Sequence, residues 1–506
     1  MKIPPHTHSG PSTKALPAKV SPPHTKDGSV IVMVLVVLFI ITSLSVISLR
    51  NAMHMMRMSQ RQVLLEQAHF VAEAGLEEAA RLISSNEYLG AGTTHMTIEL
   101  SDGRTTDVTI TPLDTEGMAF TVQSVSTVDG MNRTLNIERI YRPTYLEYGM
   151  FFEDWRGYYW IAGDVVDGKV WSGTPQGIWG YYDGGKKHGP IFRQENQTAA
   201  DGFAGWPEFG AHLPPHIPFD EHTESDLQYF DEGSDSVITG LEMPALMTVD
   251  FERHHNIANA LAVSPEDISP DHVAPDLMPT GRALVLDGRT EMRFDVEEIN
   301  GKEVGVIYLR NREAFGNFNH QHKVYSEALD LIVIRNNPNG NAQHRNGTLT
   351  LGDENPHAAS IVKGSLSIWV DHDVEITSHV IYDNQNFEES TDSLGIVSKR
   401  NIYVDRIYGG SQQHSGDLYL QAGLIATGIS GNGEIGLRNY DRNNVRGTLY
   451  FTGSQVGKRR FPWGTTNNGQ LIHGYHRSLT FDPRFSTRPP PFTPTIDSEV
   501  RYEGWH

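Results

Sequence analysis

The chain has no cysteine among its 506 residues. Disulfides, thiolate metal sites and cysteine nucleophiles are thereby excluded, and either an oxidising or a reducing compartment is open to it. Positive charge is scarce: 41 Lys and Arg stand against 62 Asp and Glu, a net charge of -21. That balance disfavours nucleic acid as a partner. The motifs HExxH, GxSxG and GxxxxGK[ST] are also missing, so the common zinc-protease, serine-hydrolase and phosphate-loop chemistries have no sequence support. One stretch lacks charge altogether: Val30 to Leu49, "VIVMVLVVLFIITSLSVISL".

An uncharged run of about 20 residues at 1.5 Å rise spans roughly 30 Å, the hydrocarbon thickness of a bilayer. Its only polar side chains are Thr42, Ser43, Ser45 and Ser48, whose hydroxyls can bond back to helix carbonyls and are tolerable in lipid. A membrane helix over Val30–Leu49 is the expectation. A cleaved signal peptide is the competing one, with Val46 and Ser48 as a passable small-residue site. Residues 1–28, rich in Pro, His and Lys, read as a disordered leader. Lys14, Lys19 and Lys26 before the run and Arg50, Arg57 and Arg61 after it leave orientation undecided by charge.

Beyond Arg50 the pattern turns amphipathic, with Leu65, Ala68, Ala72, Leu76, Ala79 and Leu82 spaced by three and four. Glu77 and Glu78 precede Arg81 at ion-pair spacing, and Ser84, Ser85 and Asn86 end the pattern. The economical reading is one helix of about 55 residues, half in lipid and half in water. Inside it sits Gly75, where glycine costs about 1 kcal/mol against alanine.

The leader ending in Gly28, the immediate apolar run and then "QAHFVAEAGLEEAARL" together resemble type IV pilin-like proteins of the PilX type. The resemblance covers residues 26–83. It implies cleavage by prepilin peptidase between Gly28 and Ser29, methylation of the new N-terminus, storage in the inner membrane and assembly with other pilin or pseudopilin subunits. Major pilins carry glutamate at the fifth mature position, where this chain has Met33. A carboxylate in hydrocarbon needs a partner such as a neighbouring subunit's N-terminus; its absence argues for a minor or pseudopilin-like component. On this reading Ala72, Gly75 and Ala79 form a small-residue face for close helix packing, in a filament or against the chain's own head. An incidental glycine is the plainer alternative.

From Met96 to Tyr141 the period becomes two, giving about four strands with turns at Asp102-Gly103 and Asp129-Gly130. Residues 145–215 are aromatic and Gly-rich. Trp155, Trp160, Trp171 and Trp179 could form a platform for carbohydrate or another surface target, or could fill a β core. Residues 216–280 read as an insertion. From Ala283 short apolar runs recur at intervals of about 25 to 30 residues: Leu366/Ile368, Leu394/Ile396, Leu418/Leu420 and Leu449/Phe451. They suggest a parallel β-helix, with a β-sandwich as runner-up.

"GTLYFTGSQVGKRR" and "GYHRSLTFDPRFSTRPPPFTPT" resemble the C-terminal region of large PilX-like proteins, whereas "DGKVWSG" departs from the His-Ser/Thr-Asn sequence that relatives often have there. Pro489–Pro491 favour an extended tail that could cover the end coil.

The fold expected is thus α+β and mostly β. Its divisions are a leader (1–28), a pilin helix (29–86), a pilin-like sheet (87–142), an aromatic β region with insertion (143–282) and a β-helix with Pro-rich tail (283–506). No catalytic, cofactor or metal site is expected. His473/His476, the oxygens of Asp441, Asn443 and Asn444, and the pair Asp371/Asp373 all read better as turns or strand residues than as sites. A minor pilin-like subunit for assembly or adhesion is the leading function. A membrane-tethered β-helix acting on or binding polysaccharide is the alternative, followed by a scaffold polymerising through its coil ends.

Overall fold

The computed structural model describes residues 27–84, 92–113, 119–155, 158–161, 163–179, 181–183, 186–199, 202–203, 217–218, 237–241, 246, 249–311, 321–340, 345–352, 355, 357–404, 416–442, 445–467, 470–496 and 500–505. They form one long N-terminal helix, an antiparallel sheet and a large curled, mostly parallel sheet, so the protein is mostly β as expected. Two compact units emerge: Met1–Ala72 with Glu99–Thr106 and Val125–Thr134, and Glu73–Ile98 with Asp107–Ser124 and Leu135–His506.

The helix α1 runs unbroken over Asp27–Ser84. No proline interrupts it, and the Thr42 hydroxyl bonds back to the Leu38 carbonyl (2.5 Å) as lipid tolerance requires. Glu78 holds Arg81, at 2.8 Å. In the first unit Ala68, Val71 and Val128 form a small core with Leu64 and Leu100, and Ser126 Oγ donates to the Ala68 carbonyl (2.5 Å).

Strands β1 (Thr94–Glu99), β2 (Thr105–Pro112), β3 (Ala119–Val128) and β4 (Met131–Tyr141) lie side by side in chain order. Both Asp-Gly turns form. Asp129 at φ 47° and Gly130 at φ 78° give the doubly left-handed geometry of a tight hairpin. The fifth strand comes from the far end of the chain: Arg501–Trp505 pairs antiparallel with β4, Tyr502 opposite Ile140. No periodic pattern in the sequence marks this return.

The large sheet of 23 described strands wraps into a parallel β-helix with three ladders of inward side chains. One runs Leu284, Ile332, Ile368, Ile396, Leu424. A second runs Leu349, Val374, Ile402, Ile435. A third runs Val380, Leu420, Phe451, Leu479. The expected pairs do stack: Leu366 on Leu394, and Leu449 on Leu418. They occupy two ladders and not one, because Leu424, not Leu420, follows Ile396. Strands of unequal length wrap different corners, so a constant interval in sequence does not mark a single face.

The coils are not stacked in chain order. Gln455 pairs with Met150, Met150 with Val170, Val170 with Asn196 and Asn196 with Val237. The aromatic segment therefore extends the solenoid past residue 460, and the strands on either side of residue 283 belong to one sheet. The chain then returns along the flank. Leu241 accepts from the Trp171 indole, Leu246 meets Glu153, and α2 (Phe251–Leu261) reaches Trp369 before Ala262 bridges to Ala283. This return and the segment around Tyr145 and Leu146 bury the outer side of the first ladder, including Val333, Trp369, Val397, Ile425 and Val456. Burial on both sides explains why its strands read "LDLIVIR" and "SLSIWV" without polar alternation.

The Pro-rich tail corrects an expectation. Pro490 lies against Gly395 and the Phe492 carbonyl accepts from the Trp369 indole (3.2 Å), which places the tail on the flank and not over an end coil. The antiparallel strands Thr290–Ile299, Lys302–Asn311 and His322–Tyr325 continue the sheet beside its parallel ladders.

Candidate functional site

Gly28 and Ser29 fall in the first turn of α1, with Asp27 its first residue. The apolar side chains of Val30–Leu49 point into solvent all round the helix, Phe39 being 73% exposed. Exposure continues past the run through Met53, Met55, Met56, Met58, Val63 and Phe70. So large an apolar surface left open by one chain marks a membrane or partner contact. Met33, at the position where the resemblance puts glutamate in major pilins, is exposed with the rest.

Further along α1 the small-residue face turns inward. Ala72, Gly75 and Ala79 are all buried in the single chain, as are Ala68, Leu76 and Ile83 on the same stripe. The last turn has a partner that the sequence did not announce: buried Arg142 donates through Nε to the Ile83 carbonyl (2.9 Å). A cation at a helix C-terminus satisfies an orphan carbonyl and complements the helix dipole. Gly75→Leu adds a branched side chain to this closed face. The expected result is a loss of about 1–3 kcal/mol, typical of overpacking, with the chain still made; thermal melting of the purified protein checks it.

The tryptophans supply core. Trp155 and Trp160 are fully buried and 5.1 Å apart, while Trp171 stacks on Phe151 at 4.2 Å. None of these three offers an open face, which removes them from a surface platform; the Trp179 side chain lies outside the described residues.

Asp371, His372 and Asp373 occupy a turn between the strands Ser365–Val370 and Val374–Ile376. Burial works against charge on Asp371, but His255 at 3.2 Å and the Asn336 N–H hold its carboxyl below the usual range. Asp373 accepts from the backbone and side chain of Asn401 at 3.2 and 2.8 Å. Both carboxylates are committed to joining coils. His473 and His476 sit three apart on strand Gln470–Thr480, so the helical geometry that could bring them together is not formed. Asp441 lies in a turn, and Asn443 and Asn444 fall outside the described residues. Among the described residues no group of three His, Asp or Glu could hold a metal ion.

His254 stacks flat on Trp369, with centroids 3.6 Å apart, and its Nδ1 donates to the Asp250 carbonyl (2.8 Å). Burial pushes its pKa down to about 4 from 6.5. Between those values the unfolded chain binds the extra proton, so this contribution to stability is lost as pH falls from 6.5 towards 4. Wild type should lose about 2 kcal/mol more than His254→Gln between pH 7 and pH 5, a difference read by urea unfolding at the two pH values.

No family model matches the chain, and no curated protein matches it. Among solved structures it is similar to the competence-associated pilin ComZ from Thermus thermophilus, at 12% identity over 88% of this chain and 97% of that one, with a TM-score of 0.29. The two chains superpose poorly as wholes.

Proposed function

We propose that the protein is a pilin-like structural subunit of the PilX type, a minor component of a type IV pilus or type II secretion pseudopilus. The observation that carries this reading is α1: one unbroken helix whose first third is apolar and exposed on every side and whose final turns bury one face. A signal peptide has no need of that continuity. In this reading prepilin peptidase cuts between Gly28 and Ser29, the new amine is methylated, and Val30–Leu49 holds the subunit in the inner membrane before assembly. Exposed Met53–Val63 and Phe70 then face neighbouring subunits. Met33 suits a minor, tip-located role, because no carboxylate is present to pair with a neighbour's N-terminus. The β-helix is displayed outside the membrane for assembly or adhesion and is not catalytic.

Mass analysis of the chain co-expressed with a prepilin peptidase tests the reading. The expected product starts at a methylated Ser29. A chain left intact, or cut near Ser48, would sink it and favour a tethered or secreted β-helix.

A further inference from the structure

On two successive coils of the solenoid three aliphatic positions give way to polar ones. Leu424 is followed by Gln455, Ile435 by Arg460 and Leu449 by Arg477. Arg477 is answered by buried Asp164, with Nε to Oδ1 at 3.0 Å. Arg460 is not answered. It is 2% exposed, its Nε and Nη1 have no hydrogen-bond partner, and its guanidinium lies over the rings of Trp155 (4.2 Å) and Trp160 (4.7 Å). Cation–π contact returns about 0.5–2 kcal/mol, less than the several kcal/mol that an unpaired buried ion costs.

Arg460 and Arg477 both line a half-open pocket of about 310 Å³. Its walls include Tyr158, Tyr159, Tyr440, Trp463 and Tyr475, and Thr465, whose buried Oγ1 also has no partner. Flat aromatic faces take the CH face of a pyranose, hydroxyls pair with sugar hydroxyls, and a guanidinium takes a carboxylate in a two-pronged bond. The volume is at the small end for ligand sites, enough for one or two sugar rings.

We propose that this pocket binds a carboxylated sugar unit of a uronate-type polysaccharide, its carboxylate seated on Arg460. An acidic peptide shares the charge but lacks the flat, hydroxylated ring that these walls match. The biological use rests on the display reading above; the binding itself does not.

The test uses the full chain in detergent micelles, titrated calorimetrically with trigalacturonate, its carboxyl-reduced neutral analogue, inorganic phosphate and an acidic tyrosine-containing peptide. Trigalacturonate should bind, about tenfold more weakly in Arg460→Met and about fivefold more weakly in Tyr440→Ala, and more weakly at high salt. Circular dichroism verifies that each variant is folded, and Tyr440→Ala on the rim reads the site even where Arg460→Met is not. Equal binding of the neutral analogue, tighter binding of phosphate or of the peptide, no binding, or binding that ignores both variants overturns the proposal. The Ser29 mass is an independent readout: loss of binding with correct cleavage refutes the pocket and spares the filament.

Discussion

Asp164→Ala should cost about 3–5 kcal/mol of unfolding free energy, the penalty for leaving a buried ion without its partner. Asp164 is fully buried and Arg477 is 5% exposed, so water cannot replace the lost carboxylate. Asp164 does two jobs at once. Besides both bonds to Arg477, its Oδ2 accepts from the Ile161 N–H at 2.9 Å and so ties the Gly163 turn. The double variant Asp164→Ala with Arg477→Met should recover most of the loss, because removing both charges returns the position to the aliphatic character of Leu449 one coil below. Urea unfolding followed by tryptophan fluorescence reports on this region through Trp160, which lies 5.0 Å from the Arg477 guanidinium. A loss below about 1 kcal/mol, the level of an exposed pair, would show that water reaches the site. Arg460→Met, which removes an ion with no partner to strand, should be neutral or stabilising on the same scale.

The contrast between these two arginines shows what the sequence could and could not convey. In "GTLYFTGSQVGKRR" and "GYHRSLTFDPR" an arginine between alternating residues looks like a solvated position. Arg477 proves to be interior in phase with Tyr475 and Leu479, and Arg460 does so because its strand loses strict alternation along Ser454–Lys458, which period two does not encode. The long helix was legible because its signals are local: absent charge, no proline, and apolar residues spaced by three and four. The Asp-Gly hairpins were legible for the same reason. Rung spacing was legible too, down to Leu366 over Leu394. The identity of each rung's neighbour was not. Met150 stacks on Gln455, and Tyr502 pairs with Ile140, through contacts between residues hundreds of positions apart that leave no periodic trace. The aromatic segment was misleading as a platform because composition is the same whether rings fill a core or face outward; only the fold decides that Trp155 and Trp160 are enclosed.

Deletion of residues 30–49 should move the chain completely from the membrane fraction to the soluble fraction while leaving the β-helix folded. The run contributes nothing to either core: its apolar side chains are exposed throughout, and buried helix residues begin only at Ala68. Near-ultraviolet circular dichroism of the truncated chain should therefore keep the signal of the buried tryptophans. A graded version separates anchoring from mere hydrophobic adhesion. Arg at the centre of a spanning helix costs about 2.5–3.5 kcal/mol, so Ile40→Arg should lower membrane partition about a hundredfold, whereas Arg in place of Val30, near the headgroups, should cost far less because its side chain can snorkel. Equal effects at the two positions would mean that the segment lies on a surface and does not cross it. Retention of the deleted chain in the membrane fraction would move the anchor elsewhere and take from α1 the anchoring role proposed for it.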